Sequence, residues 1–335
     1  MESRAGQRIA TSPDSPRISS RDGQANPIDR VILSFDVEEH FRIEAAAGLN
    51  VGPAERASYR AGLANSTRWL LRILERRRIR ATFFVLGHLA RDYPSLIRSI
   101  HSAGHEIASH GWDHQRLHGM NADAFREDVL RSKEALEDLT GEPVLGYRAP
   151  TFSIVRRTAW AIDVLADLGF LYDSSIYPVR HDRYGVPDAP RSPYLAEGPT
   201  RSILEIPPLT WRWPGINLPA AGGGYFRLFP PYVMNRAIRQ ALGSGPGSAP
   251  MLYFHPWEFD PGQPRLPLPR LSRFRTYVGL GTSRKRLEAL LDLHPFTNAA
   301  AMAHRLDGVR HDLPRFCLRL EAPALAAARR SPALP

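Results

Sequence analysis

From Val31 onward, short apolar runs alternate with amphipathic stretches, the pattern of β/α units around a parallel sheet. Val31–Phe35 reads as a strand running into Asp36, and Ala81–Leu86 as a β-rich run closed by Gly87. His105–Ser109 enters His110, Val144–Tyr147 leads to Arg148, Phe170–Tyr172 to Asp173, and Met251–Phe254 to His255. Helical spacing marks Thr67–Arg78, Leu89–Ala103, Ala122–Leu139, Arg156–Leu168, Pro231–Leu242 and Thr282–Leu293. Asn121 is placed to cap the third of these and Gly141 to stop it. Between Pro178 and Gly224 the pattern breaks up; Pro, Gly and Trp are dense there, which predicts long loops and irregular strands over one face of the core. The fold expected is α/β, a distorted (β/α) barrel with an irregular loop region at 178–224. Residues 1–28, rich in Ser, Arg, Gly, Pro and Asp, predict a disordered tail. One domain then spans 29–300, with a C-terminal extension from about 256, followed by a C-terminal helix and loose tail over 301–335.

Composition narrows the class without naming it. The 335 residues are 43% hydrophobic and 23% charged, which excludes a disordered, collagen-like or coiled-coil chain. Basic residues outnumber acidic ones 44 to 34, and only Lys133 and Lys285 are lysines. Such an arginine bias also follows from genome base composition, so no nucleic-acid partner is inferred from it. An anionic glycan, a lipid-linked substrate or an acidic membrane surface fits the charge equally well. Cys317 is the sole cysteine, so an intrachain disulfide and a cysteine-based zinc site are excluded. The first 30 residues lack the apolar run of a secretory signal, and no uncharged stretch approaches the roughly 20 residues of a membrane span. The expectation is a cytoplasmic protein, at most peripheral to the inner membrane.

The polar residues that follow the strands carry the chemistry. In a parallel barrel these C-terminal strand ends converge on one face, which would bring Asp36, Glu38, His110, Arg148, Asp173 and His255 together. His110 and His114 are spaced i, i+4, so one helical turn would aim both imidazoles at one metal; two surface histidines are the bland reading. Strand alternation places Asp36 and Glu38 on the same side, where two carboxylates need a cation to neutralise them. Two histidines and one carboxylate make a facial site for a divalent metal, leaving the other carboxylate free to act as a base. Arg148 could orient Asp36, or form only a surface ion pair. His255, followed by Pro256, Trp257 and Glu258, has a ring and a carboxylate within reach, as a general acid requires; a core histidine satisfied by the backbone is the alternative. Asp173 reads as structural as readily as functional.

In this order, the motifs Phe35-Asp36-Val37-Glu38-Glu39-His40, Ser109-His110-Gly-Trp-Asp-His114, Tyr147-Arg148-Ala149-Pro150 and Phe254-His255-Pro256-Trp257 resemble those of polysaccharide deacetylases with the NodB-homology fold (carbohydrate esterase family 4), closest to an exosortase- and exopolysaccharide-associated subgroup. The resemblance covers about residues 30 to 300, including Phe254–Pro269, which is similar to that subgroup's C-terminal extension. It implies Asp36 as catalytic base, Glu38, His110 and His114 as metal ligands, Arg148 as the group that tunes the base, and His255 as general acid. Pro150 and the Thr151 amide would serve the oxyanion, and Asp173 and Trp257 the substrate groove. Two departures stand out. Asp-Val-Glu-Glu replaces the family's paired aspartates, leaving Glu39 as a rival ligand, and Thr151 stands where many relatives carry an aromatic.

Together these point to metal-assisted hydrolysis of the acetamido group of an N-acetylated glycan, with one divalent metal: zinc first, then cobalt, manganese or nickel. Two rivals remain. One is an amidohydrolase of a small cyclic imide or ureide on the same fold, which would need a small closed pocket. The other is a non-catalytic glycan-binding relic. Tyr177, Trp211, Trp213, Tyr225, Phe226 and Trp257 fall in predicted loops and favour a groove. Arg265–Arg286 holds seven Arg/Lys and no acidic residue, either a solvated surface or a contact with anionic lipid headgroups.

Overall fold

The computed structural model describes residues 30–318 except Asp182 and Pro246. The tail expected at 1–28 and the part of the 301–335 segment that follows residue 318 lie outside the described residues. Among the described residues twelve strands form, in chain order: β1 Val31–Val37, β2 Thr82–Val85, β3 Glu106–Ser109, β4 Gly146–Tyr147, β5 Tyr172–Asp173, β6 Tyr194–Glu197, β7 Ser202–Glu205, β8 Thr210–Trp213, β9 Ile216–Pro219, β10 Met251–Phe254, β11 Phe296–Thr297 and β12 Arg315–Cys317. The main sheet runs β10-β1-β2-β3-β4-β5-β7-β6-β12, with β11 also paired to β1. From β10 to β7 every pairing is parallel; β6 joins β7 antiparallel, and β8–β9 is a separate hairpin.

Beyond β7 the chain turns toward β10. Pro208 forms a single parallel bridge with Met251, and the Leu209 N–H donates to the Met251 carbonyl at 2.9 Å. The sheet therefore closes into a barrel through a narrow seam rather than a full strand pair. That seam is the distortion in the barrel.

The helices are α1 Pro53–Arg76, α2 His88–Asp92, α3 Pro94–Ser102, α4 Ala122–Thr140, α5 Trp160–Asp167, α6 Gly223–Leu228, α7 Pro231–Leu242, α8 Arg270–Tyr277, α9 Leu280–Leu291 and α10 Ala299–Asp307. No described helix is long and apolar enough to cross a membrane. Asn121 caps α4 by accepting from the Ala124 N–H, and Gly141 ends it in the left-handed conformation. The helix expected over 89–103 is two helices, because Pro94 has no N–H and holds Tyr93 at φ −138°. α1 begins 14 residues before the expected Thr67: that added stretch buries only Tyr59, Leu63 and Ser66, too sparse a stripe to read as periodic. The 178–224 region is more regular than expected, since β6 and β7 extend the main sheet and β8–β9 forms a hairpin.

Strand alternation sorts β1 cleanly. Val31, Leu33, Phe35 and Val37 enter the main apolar core with α1 residues such as Leu70 and Leu74. Ser34 and Asp36 turn the other way, into the barrel, where both meet Arg148. At the opposite end of the strands, Glu106 accepts from Thr82 Oγ1 at 2.6 Å, Tyr172 OH at 2.7 Å and the Ala300 N–H at the start of α10 at 2.8 Å. Burial raises its pKa, while those donors act against the rise.

Candidate active site

β1 delivers Asp36 and, one residue past its end, Glu38; both are buried at the base of a cleft of about 650 Å³. Across the barrel, Arg148 follows β4 and is fully buried. Its Nη1 donates to Asp36 Oδ1 at 2.6 Å and to Ser34 Oγ at 2.9 Å, Nη2 donates to Ser174 Oγ at 3.0 Å, and Nε donates to the Ser174 carbonyl at 3.2 Å. The guanidinium also lies 4.0 Å from the centre of the Phe84 ring. A buried charge needs this many partners, so Arg148 is not a surface ion pair.

Glu38, His110 and His114 each bring one ligand atom within 4.8 Å of the others. The His110 Nδ1–H donates to the Arg148 carbonyl at 2.8 Å, which leaves Nε2 with its lone pair. Burial drives the His110 pKa down to about 4, so the ring is neutral at neutral pH, the state a ligand needs. Burial opposes the charge of Glu38, but the imidazoles of His114, His255 and His110 outweigh it and hold the carboxylate well below its usual range. Glu38 Oε2 is buried without a hydrogen bond, although His114 Nε2 stands 2.6 Å away. Two nitrogens and one oxygen converging in this way fit a divalent cation.

The two histidines converge by another route than expected. Residues 110–114 form no helical turn; Gly111 (φ 76°) and His114 (φ 57°) adopt left-handed backbone, which folds the loop back on itself. The loop is held by the Gly87 N–H on the Gly111 carbonyl, by Ser132 Oγ on the same oxygen and by the Trp112 N–H on Asp128. Trp112 and Asp113 point away, Trp112 beneath the Arg131 guanidinium and Asp113 toward Arg42.

Glu39 is not placed as a rival ligand. Its buried carboxylate turns away from the cluster, to Arg42 Nε at 2.6 Å and His88 Nε2 at 3.4 Å. His255, after β10, donates its Nδ1–H to Glu258 Oε1 at 2.9 Å, while Glu258 Oε2 takes Arg227 Nε at 2.7 Å. His255 Nε2 lies 3.6 Å from Glu38 Oε1 and 4.0 Å from Asp36 Oδ2. Burial alone would lower its pKa, but Glu258, Glu38 and Asp36 together raise it to about 9. Trp257 stacks on His255 at 5.2 Å and rests on His40, whose pKa burial pushes down to about 3.

Thr151 lines the cleft with left-handed backbone (φ 55°), whereas Pro150 is buried and does not line it. Asp173 requires a correction: it is fully buried and forms no groove wall. Its Oδ1 accepts from Ser175 Oγ at 2.5 Å, and that hydroxyl accepts from the Ala149 N–H, so Asp173 braces the chain behind Arg148. Burial raises the Asp173 pKa to about 6 beside a second buried carboxylate, Glu205. Of the six aromatics expected in the groove, only Tyr225 and Trp257 line it; Phe152, Tyr184, Tyr253 and Phe274 complete its apolar wall. Ser34, Ser174 and Arg227 went unmarked in the sequence. Ser34 was detectable from its alternation with Asp36, but nothing local singles out the other two.

A barrel that gathers a buried Asp–Arg pair, a two-histidine, one-carboxylate cluster and a histidine held by a glutamate around one cleft has the parts that metal-assisted hydrolysis requires. A model described as "Polysaccharide deacetylase" matches residues 52–172, and one described as a domain of unknown function, DUF3473, matches 174–304. The first match includes His110, His114 and Arg148, the second includes His255, and Asp36 and Glu38 precede both. A protein assigned as a polysaccharide deacetylase from Mycobacterium smegmatis has a crystal structure that superposes with a TM-score of 0.58 at 26% identity, over 88% of this chain and 94% of that one. Residues 52–172 thus form a polysaccharide deacetylase domain, on a fold shared with deacetylases of the NodB type. A peptidoglycan deacetylase of Helicobacter pylori is 33% identical over 107 residues, 32% of this chain and 36% of that protein. The chain thus spans about a third of the length of that curated relative. The Puue allantoinase shares the fold at a TM-score of 0.55 and 19% identity, covering 88% of this chain and 98% of its own.

Proposed function

We propose that this protein removes acetyl groups from the N-acetylated amino sugars of a polysaccharide or its lipid-linked precursor. The observation that carries this reading is that His255 Nε2 lies 4.0 Å from Asp36 Oδ2, while the other oxygen of Asp36 is held by the buried Arg148. A base and an acid thus face each other across one cleft, beside the three candidate ligands. A divalent metal, zinc by its match to two imidazoles and one carboxylate, would be held by Glu38, His110 and His114 and would supply Lewis-acid polarisation of the amide carbonyl and a more acidic water.

The remaining steps belong to the chain's own residues. Asp36 takes the proton of the attacking water through the oxygen that Arg148 leaves free. As the amide carbon–nitrogen bond breaks, His255 delivers a proton from Nε2 to the departing amine, while Glu258 holds the opposite side of the ring. Water and the amide are consumed; acetate and a free amino sugar leave. The cleft is open and of about 650 Å³, lined by Phe152, Tyr184, Tyr253 and Trp257, which suits a glycan better than a small cyclic ureide. A role in exopolysaccharide assembly follows from the likeness of the motif series.

The test is acetate release from N-acetylated oligosaccharides by the zinc-loaded protein. Asp36→Asn and His255→Gln should each lower kcat by ~100-fold or more. Ring opening of a cyclic ureide without acetate release would move the activity to the second class. Metal binding with neither activity would leave a glycan-binding relic.

A further inference from the structure

Beside the cleft lies a face built against the usual rule of burial. On α8, Leu271 and Phe274 sit one turn apart and are 61% and 55% exposed, with Arg270, Arg273 and Arg275 exposed around them. Leu228 at the end of α6, Tyr232 on α7 and Leu293 just past α9 are also exposed. Between α7 and α9 opens an apolar recess of about 210 Å³, lined by Phe229, Val233, Met234 and Leu290 with Lys285 at its edge. These features are contiguous: α6 packs on α9, Tyr225 lines both the recess and the cleft, and Leu228, Phe274 and Arg275 line the cleft.

The charge of this face is one-sided. Segments 223–242 and 261–287, which build most of it, hold three and seven Arg/Lys and not one Asp or Glu; Glu288 and Asp292 follow beside Leu290 and Leu293, and Asp292 is paired with Arg77. Some of these cations serve the fold. Arg265 lies over Tyr277, Arg284 donates to the Phe259 carbonyl, and Arg286 donates to three carbonyls at the end of α6. Arg270, Arg273, Arg275 and Lys285 remain exposed, and none forms an ion pair among the described residues. Exposed apolar side chains ringed by unpaired cations are costly in water and favourable where acyl chains meet anionic headgroups.

We propose that this face docks on an anionic lipid bilayer, with Leu271, Phe274 and Leu293 at the acyl boundary, the arginines of α8 at the phosphates, and the mouth of the cleft turned toward the membrane. The docking stands apart from the hydrolase reading, so either can fail without the other.

The experiment is co-sedimentation of the full chain with phosphatidylcholine vesicles, with and without phosphatidylglycerol, at low and high salt. Binding that requires phosphatidylglycerol and weakens with salt is expected. Arg270→Glu/Arg273→Glu should reduce partitioning roughly tenfold or more. Leu271→Asp/Leu293→Asp should reduce it as well, with circular dichroism and acetate release from a soluble oligosaccharide unchanged in both. Absence of binding, equal binding to neutral vesicles, or full binding by both variants would overturn the proposal. So would concentration-dependent dimerisation that the leucine variant abolishes without any vesicle binding, which would assign the face to a second copy of the chain.

Discussion

At the scale of residues, Arg148 joins more of the site than any other side chain described. Its guanidinium reaches Asp36, Ser34 and Ser174, and its carbonyl fixes the His110 ring. A lysine offers one point charge and cannot span these partners. Arg148→Lys should therefore fold but lose at least about tenfold in kcat. Arg148→Met strands the Asp36 carboxylate in the barrel and should cost about 3–5 kcal/mol in urea unfolding. The His255–Glu258 pair sets a second prediction. With its pKa raised to about 9, His255 stays protonated at neutral pH, so activity should fall as pH rises through that value. Glu258→Gln removes the anion on Nδ1 and destabilises the imidazolium, so the alkaline limb of kcat/KM should shift to lower pH. An alkaline limb that does not move would remove His255 from the acid's role.

At the scale of elements, the barrel keeps chemistry at one end of its strands and stability at the other. Glu106 opens β3 at the far end from His110 and ties β2, β5 and α10 together. Glu106→Gln keeps the shape but turns one acceptor oxygen into a donor facing donors already in place. It should cost about 1–3 kcal/mol while leaving kcat unchanged. Gly146 in β4 gives a packing analogue: a Cβ there would lie 2.1 Å from the Tyr172 ring, so the strand pair β4–β5 admits no side chain at this position. Legibility follows the same division. Asn121, Gly141 and the runs of β1 and β10 act through neighbours in sequence, so the chain alone announces them. β6, β7 and β12 were not readable, because a strand of three or four residues at a sheet edge is defined by its partner. The left-handed turn at Gly111 and His114 was misread as helical because the i, i+4 spacing is common to both.

At the scale of the molecule, the site draws on residues from 36 to 258, and its membership was legible because strand ends in a parallel barrel must converge. The anchors behind it were not. Ser174, Arg227 and the bracing role of Asp173 depend on which side chains meet across the barrel, and no local signal carries that. The candidate ligands also link the metal to folding, since Glu38 leaves β1 while His110 and His114 sit on the loop after β3. Removing the metal with a chelator should lower Tm, and adding zinc back should restore it; elemental analysis should find about one ion per chain. His110→Ala/His114→Ala should abolish the zinc-dependent rise in Tm. An equal rise in that variant would place the ion elsewhere.

The seam at Pro208 and Met251 has a consequence for descent. β10, β1, β2 and β3 are joined by four register pairs at each interface, whereas β3–β4 has one, β4–β5 and β5–β7 two each, and the seam a single bridge. Asp36, Glu38, His110 and His255 all project from the strongly joined side. Arg180, His181 and Tyr184, which line the cleft, follow β5 on the weakly joined side. Inheritance can therefore lengthen, shorten or reshape the loop after β5 while Asp36, Glu38, His110 and His255 keep their spacing. Relatives of this chain are expected to differ first in the loop after β5 and last in the spacing of those four side chains.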